Sequence, residues 1–259
     1  MPLRIAFDLD GVVADMEAEL VRQAELLFGP TMSERLHTPA PDPDQAAARA
    51  TEAADRPGDG GAEPQPAAET ALDSTPPLIK LNMTPRQQRK LWRHIQTIEN
   101  FWETLSENEP GAIARLAKMA RDRRWEIIFL TKRPQTAGAT AQVQSQRWLE
   151  SRGFLLPSVF VVQGSRGRIA AALDLAIVVD DRPENCLDVV VDSKARAILV
   201  WRENEKLLPG AARRLGIGVV KTTSECLDIL EEVDAPRAES PGMMDRVKRL
   251  LGLKEPASA

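Results

Sequence analysis

Apolar positions open the chain with a short run, Leu3 to Phe7, that stops abruptly at Asp8. A run of this length, closed by polar residues and a glycine, predicts a buried strand. Gly11 allows a tight turn. Met16 to Phe28 then carries Leu20, Val21, Ala24, Leu27 and Phe28 at helical spacing, and Gly29-Pro30 ends the pattern. A second short helical segment is expected to about Leu36. The periodicity vanishes from Thr38 to Pro77 and returns near Leu78. Thr84-Pro85 reads as an N-cap followed by Pro at the first helical position, ahead of Leu91, Trp92, Ile95 and Ile98, with the helix reaching about Glu99. The aromatic stretch Asn100-Phe101-Trp102-Glu103-Thr104-Leu105 follows. Glu109-Pro110-Gly111-Ala112 then opens a helix through Arg123 with Ile113, Leu116, Ala117 and Ala120 as its apolar stripe.

From Trp125 onward the pattern switches repeatedly between period 2 and period 3.6. Strand Glu126 to Leu130 ends at Thr131, a helix covers about Gly138 to Arg152, and strand Val159 to Val162 follows. A short helix after Ser165 precedes strand Leu175 to Val179, which ends at Asp180-Asp181. Helix Pro183 to Ser193, strand Ala197 to Trp201 and strand Ile217 to Val220 complete the alternation, and Thr222-x-x-Glu225 is a capping box for a last helix to about Glu232. Strands alternating with helices predict an α/β fold with a parallel sheet.

Composition changes the picture in one place. The 40 residues from Thr38 to Pro77 hold 8 Pro, 3 Gly, 11 Ala and a single Leu, and eight acids there face two arginines, a net of −6 in a chain of net −4. Such a stretch has too little apolar surface to form a core and predicts a disordered insertion. A pI near 5.5 offers no basic footprint for a nucleic acid polymer. Cys186 and Cys226 lie far apart without metal-ligand spacing, which suggests a reduced setting. His37 and His94 are isolated. The opening Met1-Pro2-Leu3-Arg4 leaves no room for a signal peptide before the first strand, and no apolar run reaches membrane-spanning length, so the expectation is a cytoplasmic protein without a membrane partner. After Asp234, Met243 to Leu253 predicts a short basic amphipathic helix in a flexible tail.

Candidate chemistry gathers where apolar runs end. Asp8 and Asp10 follow Phe7, Thr131 follows Leu130, and Asp180-Asp181 follow Val179. In open parallel sheets the carboxyl ends of the strands line the ligand crevice, so neighbouring strands would bring four carboxylates and a hydroxyl together. Two carboxylates about 4 Å apart repel by roughly 4 kcal/mol at an effective dielectric of 20, which calls for a cation or a shared proton. A hard cation such as Mg²⁺ takes oxygen ligands, often one or two carboxylates with substrate phosphate. Asp8 could attack phosphorus, and Asp10 could protonate the leaving alkoxide and later activate water. The Thr131 hydroxyl and the turn amides after Asp10, Gly11 among them, would hold phosphoryl oxygens, with Lys132 alongside. Arg166 and Arg168 are the two candidates for a cation opposite.

With Asp8-Leu9-Asp10-Gly11-Val12, Thr131, a basic residue at Arg166 or Arg168, and Asp180-Asp181 in order, the chain resembles phosphatases of the haloacid dehalogenase superfamily. More narrowly, Asp10-Gly11-Val12-Val13-Ala14-Asp15, the stretch from Asn100 to Ala112 and Asp180-Asp181-Arg182-Pro183-Glu184-Asn185 are similar to the cytosolic-type 5'(3')-deoxyribonucleotidases. The resemblance implies a doubly wound parallel core at 1–15 and 110–233, with a helical cap at 16–109 that contains the insertion at about 38–77. A tail covers 234–259. It implies Asp8 as nucleophile and Asp10 as general acid and base. Mg²⁺ would be held by Asp8, the Asp10 carbonyl and a motif-four aspartate, preferably Asp181 with Asp180 in support. The third motif usually carries Lys in this family, whereas this chain offers Arg, with Arg168 favoured because it opens a helix. Phe101 and Trp102 read equally well as a wall for a nucleobase or as packing. The expected substrate is a small phosphomonoester, a nucleoside or deoxynucleoside monophosphate, with a sugar phosphate or a non-catalytic phosphate-binding scaffold as rivals.

Overall fold

The computed structural model describes residues 2–30 and 83–234. The Pro/Ala-rich segment, His37 and the amphipathic C-terminal helix lie outside the described residues.

The strands are β1 (Arg4–Asp8), β2 (Ala14–Asp15), β3 (Ser106–Glu107), β4 (Glu126–Thr131), β5 (Ser158–Val161), β6 (Ile177–Asp180), β7 (Arg196–Val200) and β8 (Gly218–Val220). The helices are α1 (Met16–Phe28), α2 (Pro85–Thr97), α3 (Ala112–Arg123), α4 (Ala141–Ser151), α5 (Arg166–Ala172), α6 (Pro183–Asp192), α7 (Gly210–Arg214) and α8 (Thr223–Asp234). Six strands form one sheet in the order β5-β4-β1-β6-β7-β8. Every pairing in it is parallel. β1 is central because its run Ile5-Ala6-Phe7 is apolar on both faces and wholly buried.

Alternation along the strands assigns the two layers. Ala6, Leu130, Val178, Ala197 and Leu199 pack with Ala170 of α5, Cys186 and Val189 of α6 and Ala212 of α7. On the opposite face Phe7 lies 6.5 Å from Phe129, whose ring meets Phe154 edge-on at 5.0 Å. α3 and α8 are joined by Arg115 Nη2 donating to Asp228 Oδ1 at 2.6 Å and by Arg123 with Glu231. The fold is a doubly wound parallel α/β sheet, as the strand–helix alternation predicts.

The order reverses at β1, which has β4 on one side and β6 on the other. The strand ends carrying Asp8, Thr131 and Asp180 are therefore direct neighbours, at the switch point where open α/β sheets leave a crevice.

Chain contacts divide the molecule into a sheet unit, residues 1–19 with 98–259, and a second unit, residues 20–97. Residues 98–109, which the sequence assigns to the cap, belong to the sheet unit by their chain contacts. The reason is a small antiparallel pair: Ala14 of β2 faces Glu107 of β3, and Asn108 donates through its backbone to Val13 and through its side chain to Ala14. These bonds tie the Phe101 stretch to the sheet unit.

In the second unit α2 starts as its sequence predicts. Thr84 N–H donates to Gln87 Oε1 at 2.9 Å, while Gln87 N–H returns to Thr84 Oγ1 at 3.3 Å, with Pro85 at the first helical position. Leu91, Trp92 and Ile95 are buried. His94 Nε2 lies 2.9 Å from Gln23 Oε1, and Lys90 lies over the Phe28 ring.

Candidate active site

β1 delivers Asp8 at its last position, after which the chain turns. Gly11 N–H donates to Ala14, and the Val13 and Ala14 amides both donate to the Leu9 carbonyl. Gly11 has φ +84°, a left-handed conformation that favours glycine, and a methyl group there would collide with the Asp181 carboxylate. Its amide is used inside the turn, so the expectation that it binds substrate gives way to a geometric role: it lets the chain turn and lets Asp181 approach. Arg202, beyond β7, pins the turn by donating to the Gly11 carbonyl and, at 3.1 Å, to the Val12 carbonyl. Thr223 Oγ1 donates to Val12 as well, at 2.7 Å, and Glu109 accepts from the Thr223 and Ser224 amides behind it.

Arg166 lies beneath Asp8. Its side chain is 1% exposed, and Nη2 donates to Asp8 Oδ1 at 2.5 Å while Nε lies 3.5 Å from Asp180 Oδ2. The start of α5 forces this inward course. Ser165 caps the helix by accepting from the Arg168 amide and donates its own hydroxyl to Asp188 Oδ2 at 2.7 Å. Gly167 packs so closely on α6 that a methyl group would meet the Asp188 backbone carbonyl. Arg168 projects to solvent. The expected preference for Arg168 is therefore reversed: two residues around a helix point to nearly opposite sides, and the Gly167 contact turns Arg166 inward.

Asp180, at the end of β6, is fully buried and saturated. It accepts from the Arg182 amide at 2.9 Å and from Asn185 Nδ2 at 3.0 Å on both oxygens. It holds Arg166 and the turn, while Asp181, the next residue, is half-buried against Gly11. Thr131, at the end of β4, is buried and donates to Asp10 Oδ2 at 3.0 Å. Lys132 beside it is half-buried.

One residue absent from the sequence reading completes the cluster. Arg133, 2% exposed, donates through Nε and Nη2 to both oxygens of Asp10 at 2.7 to 3.0 Å. It lies directly after Thr131-Lys132, and its proximity to that strand end was the available signal. Trp102 and Phe101, expected either as a nucleobase wall or as packing, are both 0% exposed and meet edge-to-face at 4.9 Å. Trp102 Nε1–H donates to the Pro134 carbonyl. Neither ring has an open face, so packing is their role; the Trp102 ring lies 4.9 Å from the Arg133 guanidinium. Trp148 is buried and donates to the Leu105 carbonyl.

Electrostatics single out this cluster. Burial, then repulsion from Asp180, pushes the Asp8 carboxyl well above the usual range despite Arg166. Burial also raises Asp180, against Arg166 and Asn185. Asp181 is pushed up to about 7 by burial and by the charges of Asp180 and Asp10. Asp8, Asp10, Asp180 and Asp181 crowd against two buried guanidiniums, Arg133 and Arg166, and a divalent cation would let the raised carboxyls ionise. No group of three Asp, Glu, His or Cys side chains forms a ready cage among the described residues. Mg²⁺ does not require one, because it commonly keeps one or two carboxylates with water and substrate oxygens. The all-oxygen, under-neutralised donor set fits such an ion.

No family model matches this chain, and no curated protein is found similar to it. Solved structures with a related chain course include a beta-phosphoglucomutase-like protein from Thermotoga maritima, 16% identical over 89% of this chain and 99% of that one, TM-score 0.49. CbbY from Rhodobacter sphaeroides in complex with phosphate is 16% identical over 87% and 96%, TM-score 0.42. A 2-haloacid dehalogenase from Pseudomonas syringae is 13% identical over 90% and 100%, TM-score 0.44. At this level of identity and overlap the likenesses assign no function.

Among the described residues, no helix is long and apolar enough to cross a membrane.

Proposed function

We propose that this chain is a Mg²⁺-dependent phosphomonoester hydrolase that works through an aspartyl-phosphate on Asp8. The observation that carries the reading is the state of Arg166. It is buried against Asp8 and Asp180, yet its Nε and Nη1 have no hydrogen-bond partner among the described residues. A buried guanidinium with unfilled donors costs free energy unless an acceptor completes it in the working state. Nε faces Asp180 Oδ2 at 3.5 Å, and a phosphoryl oxygen held in line with the Asp8 carboxylate would supply the acceptor for Nη1.

In this mechanism an Asp8 oxygen attacks phosphorus, and the bond from phosphorus to the ester oxygen breaks. Asp10 enters this step in its protonated form and gives that proton to the departing alkoxide, which leaves it ionised for the second half. In the second half Asp10 takes a proton from water as that water attacks phosphorus, and the Asp8–phosphorus bond breaks to release phosphate. Thr131 holds one Asp10 oxygen in place. Asp8, Asp181 and the Asp10 carbonyl would hold Mg²⁺, which supplies neutralising charge between the attacking carboxylate and the phosphate dianion.

Nucleoside or deoxynucleoside monophosphates are the proposed substrates, on the likeness of Asp10 to Asp15 and of Asp180 to Asn185 to nucleotidase motifs. The burial of Phe101 and Trp102 removes the one aromatic feature that favoured a base over a sugar, so a sugar phosphate stands as the second reading. Phosphate release from a panel of nucleoside and sugar monophosphates, with and without Mg²⁺, tests both, with Asp8→Asn as control. The expected result is Mg²⁺-dependent turnover that disappears in Asp8→Asn, with the ranking of substrates choosing between base and sugar. Binding of phosphate without any turnover would replace the enzyme with the phosphate-binding scaffold.

A further inference from the structure

Asp10 meets a second buried cation, Arg133. Asp10 is not on a strand; it lies in the turn between β1 and Gly11, where a carboxyl group would otherwise be free to rotate. Both its oxygens are taken. Arg133 Nε reaches Oδ1 at 2.9 Å and Oδ2 at 3.0 Å, and Nη2 reaches Oδ1 at 2.7 Å. The remaining Arg133 terminus, Nη1, donates to Ser145 Oγ at 2.9 Å, and Ser145 has committed its own proton to the Ala141 carbonyl at 2.7 Å. The guanidinium is thus held at one end by Asp10 and at the other by α4.

Two tryptophans complete its surroundings. The Arg133 guanidinium lies 4.9 Å from the Trp102 ring centroid and 5.7 Å from that of Trp148. Both indoles are themselves fixed: Trp102 by Pro134 and by Gln144 Oε1, which accepts its backbone N–H, and Trp148 by the Leu105 carbonyl. An arginine with rings alongside, hydrogen-bonded at both ends and 2% exposed, has little freedom to move. Its backbone amide also donates to Thr131 Oγ1 at 3.2 Å, and Thr131 in turn donates to Asp10.

We propose that Arg133 is the positioning residue for Asp10: with Trp102, Trp148 and Ser145 fixing it, its fork sets the plane of the carboxyl that exchanges protons during hydrolysis. This rests on the reading of Asp10 as the proton-transfer residue. It also gives the buried aromatic pair a function, because Trp102 acts on the reaction through Arg133 and leaves the choice of substrate untouched. Lysine cannot replace arginine here, since a single ammonium cannot bridge both carboxyl oxygens and Ser145 in one plane.

The test uses the full chain with Mg²⁺ and whichever monophosphate the wild type hydrolyses, comparing Arg133→Lys, Arg133→Ala and Ser145→Ala. Misplacing a reacting group by about 1 Å can cost roughly 100-fold. The expected result is a kcat lowered about 100-fold in Arg133→Ala and at least about 10-fold in Arg133→Lys, with KM within about threefold of wild type. Added guanidinium ion should restore kcat in Arg133→Ala, because the vacated slot still has its rings and Ser145, and the kcat loss at unchanged KM in Arg133→Lys separates positioning from a merely structural part. If Arg133→Ala does not fold, Arg133→Lys carries the test through its kcat at unchanged KM, and Ser145→Ala should show the same split at smaller size. Unchanged kcat in Arg133→Lys, or a loss in Arg133→Ala that falls on KM and ignores guanidinium, overturns the proposal while leaving the phosphatase intact. Failure of the wild type to release phosphate from any substrate removes the phosphatase reading and this proposal with it.

Discussion

Replacing Asp181 by Asn should make the metal-free protein more stable at neutral pH. In the folded chain the Asp181 carboxyl is raised to about 7 from an ordinary 3.8, by burial and by the charges of Asp180 and Asp10. A raised carboxyl means that the folded state holds its proton more tightly than the unfolded chain does. Its favourable contribution is therefore complete below pH about 4 and is lost as pH rises through about 7. The rise from 3.8 to about 7 sets a ceiling of about 4 kcal/mol, and partial exposure of the group lowers the expected figure to about 2–3 kcal/mol. Urea unfolding in the presence of a chelator, followed from pH 5 to pH 8.5, measures it. Wild type should lose stability across this range, with Asp8 and Asp180 adding to the slope. Asp181→Asn should already exceed wild type by about 1 kcal/mol near pH 5 and by about 2–3 kcal/mol at pH 8. Millimolar Mg²⁺ should then stabilise wild type at pH 8 by binding the folded state, and stabilise the variant far less. A variant with the same pH slope as wild type, or less stable than wild type at pH 8, would refute the reasoning.

Three further outcomes follow from the same contacts. Arg166→Met leaves Asp8 and Asp180 buried without their shared cation, so it should cost about 3–5 kcal/mol in urea unfolding and abolish protection by inorganic phosphate against thermal unfolding. Gly11→Ala forces a side chain into a left-handed conformation and against Asp181, so stability should fall by about 1–3 kcal/mol with loss of metal-dependent turnover, read by denaturation and by phosphate release. Trp102→Ala opens a cavity under Arg133 and should destabilise by about 3–5 kcal/mol; its kinetic cost should be equal for a nucleotide and for a small generic ester, whereas a KM rise confined to nucleotides would restore the stacking wall.

The amino-acid pattern alone determined the sheet and most of the cluster. A central parallel strand is covered on both faces, so it must be written as an unbroken apolar run, and the polar residue that ends it marks the crevice. Asp8, Thr131 and Asp180 were legible for that reason, and Thr84-Pro85 was legible because a helix start needs a side-chain acceptor and tolerates proline. Only the folded chain decided between residues that differ by one or two positions. Arg166 over Arg168 was settled by Gly167 against Asp188, and Arg133 over Lys132 by Asp10 and Ser145; these partners are far away in sequence. Phe101 and Trp102 had the composition of a ligand wall until the tie between Asn108 and Val13 placed their segment in the sheet unit. Period and burial are local properties that a sequence carries in each window. Which of two adjacent cations turns inward depends on long-range packing, and that exists only once the strands have met.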